Sequence, residues 1–169
     1  LRGGCDGSRE LSALGASNPE LQLLRRLSRR RSVRSEHGAY LVDGPVLLAE
    51  ALDAGVGVRT VYVEPDTAGD DVVEVVARAR ATGMMVRDVV PGALAKVLDL
   101  VTPRPVVAVV DQRLVAPADV IDAALGTQRP VLVLLDVADP GNVGTLVRVA
   151  EAAGCAGVVL VGACADLHN

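Results

Sequence analysis

The residues best suited to chemistry lie between Asp136 and Arg148, in the run DVADPGNVGTLVR. This run brings together two carboxylates (Asp136, Asp139), an amide (Asn142) and a guanidinium (Arg148). Asp139-Pro140-Gly141 reads as a turn, because proline presets φ at the second turn position and glycine accepts a positive φ at the third. Asn142 then stands where a helix cap is needed. The helix beyond it carries Val143, Leu146, Val147 and Ala150 at the i, i+3, i+4, i+7 spacing of one buried face, and Gly154 ends it. Arg148 lies off that stripe. Helical side chains lean toward the N-terminus, which carries its guanidinium back over Gly144 and Thr145 toward Asn142, and Gly144 leaves the room. A helix N-terminus with open N–H groups, an amide and a permanent cation forms a corner for an anion. The same spacing also allows Arg148 to pair with Glu151 at i+3 on a wet surface, where such a pair contributes little.

The elements that must position this corner are short and apolar. Val131 to Leu135 has the length and β-branched content of a strand buried on both faces, and Val158 to Val161 reads as the next one. Strand, helix and strand then form a parallel, right-handed unit. The corner falls at the carboxyl edge of its strands, where open α/β sheets hold ligands.

A second chemical stretch lies upstream. Asn18-Pro19-Glu20 opens a helix with a cap, a proline in the first turn and an acid near the N-terminus. Leu21, Leu24 and Leu27 form its apolar stripe; Arg25, Arg26, Arg29, Arg30 and Arg31 cover the rest, and Arg34 follows. Six arginines within ten residues repel one another unless a polyanion is near, so phosphate contact is one reading. A solvated helical face is the other.

Between the two stretches, strands are expected at Ala39–Val42, Val58–Val63, Met84–Val90 and Val106–Val110. Helices are expected from Gly44-Pro45 (with Val46, Leu47, Ala49, Leu52 and Ala54, closed by Gly55), over Asp70–Ala81 (with Val72, Val73, Val76 and Ala79 inward) and over Pro91–Leu100. The alternation implies an α/β sandwich. Residues 1–17 read as a loose Gly/Ser-rich lead-in, 18–112 as one domain, 113–129 as a linker with a short helix near Pro117–Ala124, and 130–169 as the start of a second domain.

Composition narrows the partners. Half of the 169 residues are apolar, and there is no Phe or Trp, so stacking of bases on aromatic rings is not a main binding mode. Net charge is −4, against a uniformly basic nucleic-acid binder, but residues 1–35 carry +5 and the remainder −9. Cys5, Cys155 and Cys164 show no metal-ligand spacing and read as reduced thiols in a cytoplasmic protein. No membrane-spanning run and no metal site is visible in the sequence.

The run LDVADPGNVGTLVRVAEAAG resembles the first motif of the SpoU (TrmH-like) 2′-O-ribose RNA methyltransferases of the SPOUT superfamily. Asp139-Pro140, Asn142, Gly144 and Arg148 match that motif without a gap. Asn18-Pro19, the arginine-rich helix and AYLVDGPVLLAEAL resemble the ribosomal-protein-L30e-like substrate-binding domain that precedes the catalytic domain in the family, with Tyr40 where Phe is common and Asp43 where Glu is common.

The resemblance implies an α/β fold: an L30e-like sandwich, then the first half of a SPOUT domain without its trefoil knot. It implies an S-adenosylmethionine-dependent RNA 2′-O-methyltransferase with Arg148 and Asn142 as catalytic residues. Arg25, Arg26, Arg29, Arg30, Arg31 and Arg34 would bind RNA, with rRNA favoured over tRNA. The family's cofactor site lies in the knot, so none is expected before Asn169, and this chain alone is expected to be inactive. Val158–Val161 would then expose apolar surface. A homodimer is expected for the complete protein. In the family the arginine matching Arg148 is proposed to activate the ribose hydroxyl. A guanidinium is a poor base, which favours a charged Arg148 that clamps a phosphate and stabilises developing alkoxide.

The alternative is a non-catalytic L30e-like RNA-binding protein, which leaves the Asp139–Arg148 constellation unexplained. A Rossmann-type nucleotide enzyme would need a Gly-x-Gly-x-x-Gly turn after the first strand, and none is present.

Overall fold

The computed structural model describes residues 13–98 and 104–168. The chain divides into two compact units, one up to Asp111 and one from Gln112. The expectations for Cys5 and for residues 1–12, 99–103 and 169 lie outside the described residues.

The first unit contains α1 (Pro19–Arg29), α2 (Arg31–His37), β1 (Ala39–Asp43), α3 (Pro45–Asp53), β2 (Val58–Val63), α4 (Asp70–Ala81), β3 (Met85–Asp88), α5 (Ala93–Leu98) and β4 (Val106–Asp111). Its sheet has the order β1-β4-β2-β3; β4 is antiparallel to both neighbours and β3 runs parallel to β2. Strict alternation along β4 explains the layers. Val107 and Val109 face a core built with α1, α5 and Val33 of α2, whereas Val106, Ala108 and Val110 face a second core under α3 and α4. The unit is therefore a three-layer α/β/α sandwich.

Helix α1 buries Leu21, Leu24 and Leu27 as its spacing requires, and Asn18 Oδ1 accepts the Glu20 N–H at 2.8 Å to cap it. Its first turn is pinned sideways: Glu20 accepts from Arg87 Nη2 at 2.7 Å and from the Tyr62 hydroxyl at 3.2 Å. Burial, together with the Glu20 carboxylate, pushes the Tyr62 phenol up to about 12.

Three details differ from the sequence reading. The lead-in is docked at its end, because Leu14 is buried and pairs with the β3 edge through Leu14 N–H to Asp88 O (2.8 Å) and Val90 N–H to Leu14 O (3.1 Å). Helix α4 turns Val75 inward rather than Val73. Helix α3 buries Leu48 and Ala51, leaving Val46 and Leu47 exposed.

The second unit contains α6 (Pro117–Thr127), β5 (Val131–Leu135), α7 (Pro140–Ala152) and β6 (Gly157–Val161), with β5 and β6 parallel. Most of the stretch read as a linker is thus α6. It lies close against β6: a Cβ on Gly157 would stand 2.6 Å from Val120 Cγ1. Strand β5 is not buried on both faces. Leu134 is covered while Val133 and Leu135 are exposed; among the described residues β5 pairs with β6 alone.

Candidate functional site

In the second unit, the helix cap is shifted from the sequence reading. Asp139, not Asn142, is the N-cap of α7: its Oδ1 accepts the Asn142 N–H at 2.7 Å, and Pro140 takes the first helical position, where no donor is needed. Asp139-Pro140-Gly141 is therefore the helix start rather than a separate turn. Asn142 sits one turn in, exposed, and its amide is released from capping duty.

Arg148 folds back as the spacing implies. Its Nη2 lies 3.5 Å from Thr145 Oγ1, and Nη1 is 3.9 Å from where a Gly144 Cβ would stand. Thr145 in turn donates to Gly141 O at 2.9 Å. No ion pair joins Arg148 to Glu151 and no hydrogen bond joins it to Asn142 among the described residues. The guanidinium thus stays exposed along the first turns of α7.

The acid groups at the strand ends are already engaged. Asp136 holds φ +55, and its Oδ1 accepts the Ala163 N–H at 2.7 Å, tying the end of β5 to the loop after β6. Gly162, at φ +72, is required there, since a Cβ would run into that carboxylate. The Cys164 thiol lies against Val161 O (3.3 Å) and Leu134 O (3.4 Å). These groups serve the backbone.

In the first unit, the arginine run does not form one continuous helix. Arg30 adopts an extended conformation (φ −127, ψ 112) and separates α1 from α2. Arg25, Arg26, Arg29, Arg30 and Arg31 are exposed around that break. Arg34 departs from the expectation that it contacts RNA. It is 3% exposed, and its Nη1 donates to Leu27 O at 2.6 Å and Ser28 O at 3.3 Å, satisfying carbonyls that the end of α1 would otherwise orphan. Arg59 secures the end of α2 in the same way, donating to His37 O (2.9 Å) and Gly38 O (3.0 Å) while pairing with Asp111. Sequence reasoning missed both clamps. An arginine seven residues from its acceptor carries no local signature, and Arg59 reads only as the outward residue of a strand.

Among the described residues, no group of His, Cys, Asp and Glu is placed to hold a metal ion, and no helix is long and apolar enough to cross a membrane.

Residues 18–108 match the MRM3-like substrate binding domain. The chain belongs to that family. It is homologous to SpoU/TrmH RNA methyltransferases of the SPOUT superfamily. It is 29% identical over 154 residues to the 23S rRNA (guanosine(2553)-2′-O)-methyltransferase RlmP of Bacillus subtilis, a match covering 91% of this chain and 56% of that protein. The AdoMet-bound rRNA methyltransferase from Sinorhizobium meliloti superposes with a TM-score of 0.75 at 28% identity, over 93% of this chain and 57% of that one. The SpoU methyltransferase AviRb from Streptomyces viridochromogenes gives 0.72 at 27% identity, over 90% and 54%. The mixed α/β architecture is shared with these enzymes, and the chain spans a little over half the length of these three relatives.

Proposed function

We propose that this chain is the substrate-binding and catalytic-loop portion of an S-adenosylmethionine-dependent rRNA 2′-O-methyltransferase of the cytoplasm. In this reading, residues 18–112 are an L30e-like RNA-binding domain and 130–169 begin the SPOUT domain. The observation that carries it is the start of α7, where the Asp139 cap, Gly144 and the folded-back Arg148 reproduce in space what the motif specifies in sequence.

The residues at the carboxyl edge of β5 and β6 do not fit an adenosyl site by themselves, because Asp136 Oδ1 and the Cys164 thiol are engaged with backbone groups. We therefore place the cofactor and the trefoil knot outside these 169 residues, along with the dimer contacts. What this chain supplies is position and charge. Arg148 acts as a planar guanidinium cation: it holds a phosphate of the bound strand and stabilises negative charge developing at the ribose 2′-oxygen. Asn142 offers an exposed amide in the first turn of the same helix. The exposed arginines of the α1–α2 corner hold the RNA backbone through salt-sensitive phosphate contacts.

The test is a calorimetric titration of S-adenosylmethionine into this chain and into a chain extended along its natural reading frame, followed by methyl transfer to 23S rRNA. Binding and transfer by the extended chain alone are expected, with transfer reduced at least 100-fold by Arg148→Ala. An extended chain that binds no cofactor would return the protein to the non-catalytic RNA-binding reading.

A further inference from the structure

We propose that Thr145 is a positioning residue for Arg148: its hydroxyl, itself fixed by the backbone of α7, holds the guanidinium over the first turns of that helix. The inference rests on the catalytic role proposed for Arg148 above and adds what keeps that side chain in place. Thr145 is exposed, so packing does not account for its side chain. It donates to Gly141 O at 2.9 Å, the bond a helical threonine makes to the carbonyl four residues back. Branching at Cβ leaves a threonine few χ1 states in a helix, and this bond selects one that turns Oγ1 toward the N-terminus. The hydroxyl proton is committed to Gly141 O, so the oxygen meets the guanidinium only as an acceptor. Arg148 Nη2 donates to it at 3.5 Å.

An exposed arginine needs such a hold. Its long side chain has many rotamers, and the entropy of fixing one is lost at the reaction unless the free protein has fixed it already. Electrostatics pulls Arg148 the other way, because Glu151 stands at i+3 and the negative end of the helix dipole lies beyond it. Helical geometry aims the arginine stem toward the N-terminus, but it gives the head no partner there. Thr145 supplies that partner at i−3. The structure shows the outcome: Nη2 faces Thr145, Nη1 lies 3.9 Å from where a Gly144 Cβ would stand, and no ion pair joins Arg148 to Glu151 among the described residues.

Two substitutions test this in the chain extended along its natural reading frame. Thr145→Val keeps the shape and the β-branching and removes the hydroxyl; Thr145→Ser keeps the hydroxyl. Thr145→Val is expected to lower kcat for methyl transfer to 23S rRNA about 5- to 10-fold, what one hydrogen bond contributes at a barrier, with KM for S-adenosylmethionine unchanged. Thr145→Ser is expected to keep the native kcat. Both should unfold thermally with the native chain, since a threonine bond to the preceding turn adds no helix stability. In the 169-residue chain, NMR relaxation of the Arg148 Nε–H is expected to report a freer side chain in Thr145→Val and not in Thr145→Ser. Added to Arg148→Ala, Thr145→Val is expected to cost nothing more, because it acts through the guanidinium alone. Native kcat in Thr145→Val, or an equal loss in the Arg148→Ala background, would overturn the proposal. The two readings stay separable. If Arg148→Ala transfers at the native rate, the catalytic reading falls, and the Nε–H relaxation decides whether Thr145 holds the side chain. If Arg148→Ala is slow and Thr145→Val is not, the positioning role alone is refuted.

Discussion

Replacing Arg34 by Met separates the buried arginine from its five exposed neighbours. Met retains an unbranched apolar stem of similar length, so the core around Val33 and Leu27 keeps its packing. The guanidinium is lost, and with it, among its contacts, the bonds to Leu27 O at 2.6 Å and Ser28 O at 3.3 Å. The shorter bond is charge-assisted and nearly fully buried, and removing the donor leaves a desolvated carbonyl at the end of α1. The expected cost is about 2–3 kcal/mol, with the longer bond adding little. Tyr40 and Tyr62, the protein's two tyrosines, both lie in the first unit, so urea unfolding followed by tyrosine fluorescence reports on that unit alone. Arg25→Gln provides the contrast. It should leave the urea midpoint within about 0.5 kcal/mol of the native value, yet lower the slope of log K against log salt for RNA by about 0.9, one phosphate contact. For Arg34→Met the slope should stay intact at temperatures where the unit is folded. An Arg34→Met chain of native stability that had lost one unit of salt slope would refute the reasoning and make Arg34 an RNA contact after all.

Other outcomes follow from single contacts. In an alkaline spectrophotometric titration, the Tyr62 phenol should ionise only near pH 12. Because its folded pKa exceeds the unfolded value near 10, the stability it contributes is complete below pH 10 and is lost as pH rises toward 12; Tyr62→Phe should remove that part of the alkaline transition. Gly162→Ala should destabilise the second unit by more than about 1 kcal/mol in thermal unfolding, since it combines a positive φ with a collision against Asp136. Asp139→Ala should cost about 1 kcal/mol of α7 stability, read by amide exchange at Asn142 and Val143, whereas Asn142→Ala should cost almost none.

What was legible in the sequence tracks what is local. The stripe Leu21, Leu24, Leu27, the cap at Asn18 and the span Asp70–Ala81 follow from periodicity and capping within a few residues, and the structure reproduces them. The fold-back of Arg148 onto Thr145 and Gly144 is likewise a matter of helical geometry. The errors arise where a residue's role depends on distant partners. Val73 and Val75 both belong to an apolar run, and only the placement of α4 on the sheet decides which one is buried. Asp139 and Asn142 are both good caps, and the choice turned on Pro140 being able to occupy the first helical turn. Arg34 and Arg59 look like any other arginine in the chain until the carbonyls and the carboxylate that hold them are located.

The break at Arg30 also has an electrostatic consequence. It stops α1 directly after Arg26 and Arg29, so two of the exposed cations stand on the last turn of the helix, at the negative end of its macrodipole. The backbone itself therefore offsets part of their mutual repulsion. The same two charges then serve helix stability and ligand attraction together. A substitution that neutralises Arg26 or Arg29 weakens the grip on a polyanion and frays the helix end that presents it, so evolution cannot tune one property at these positions without altering the other.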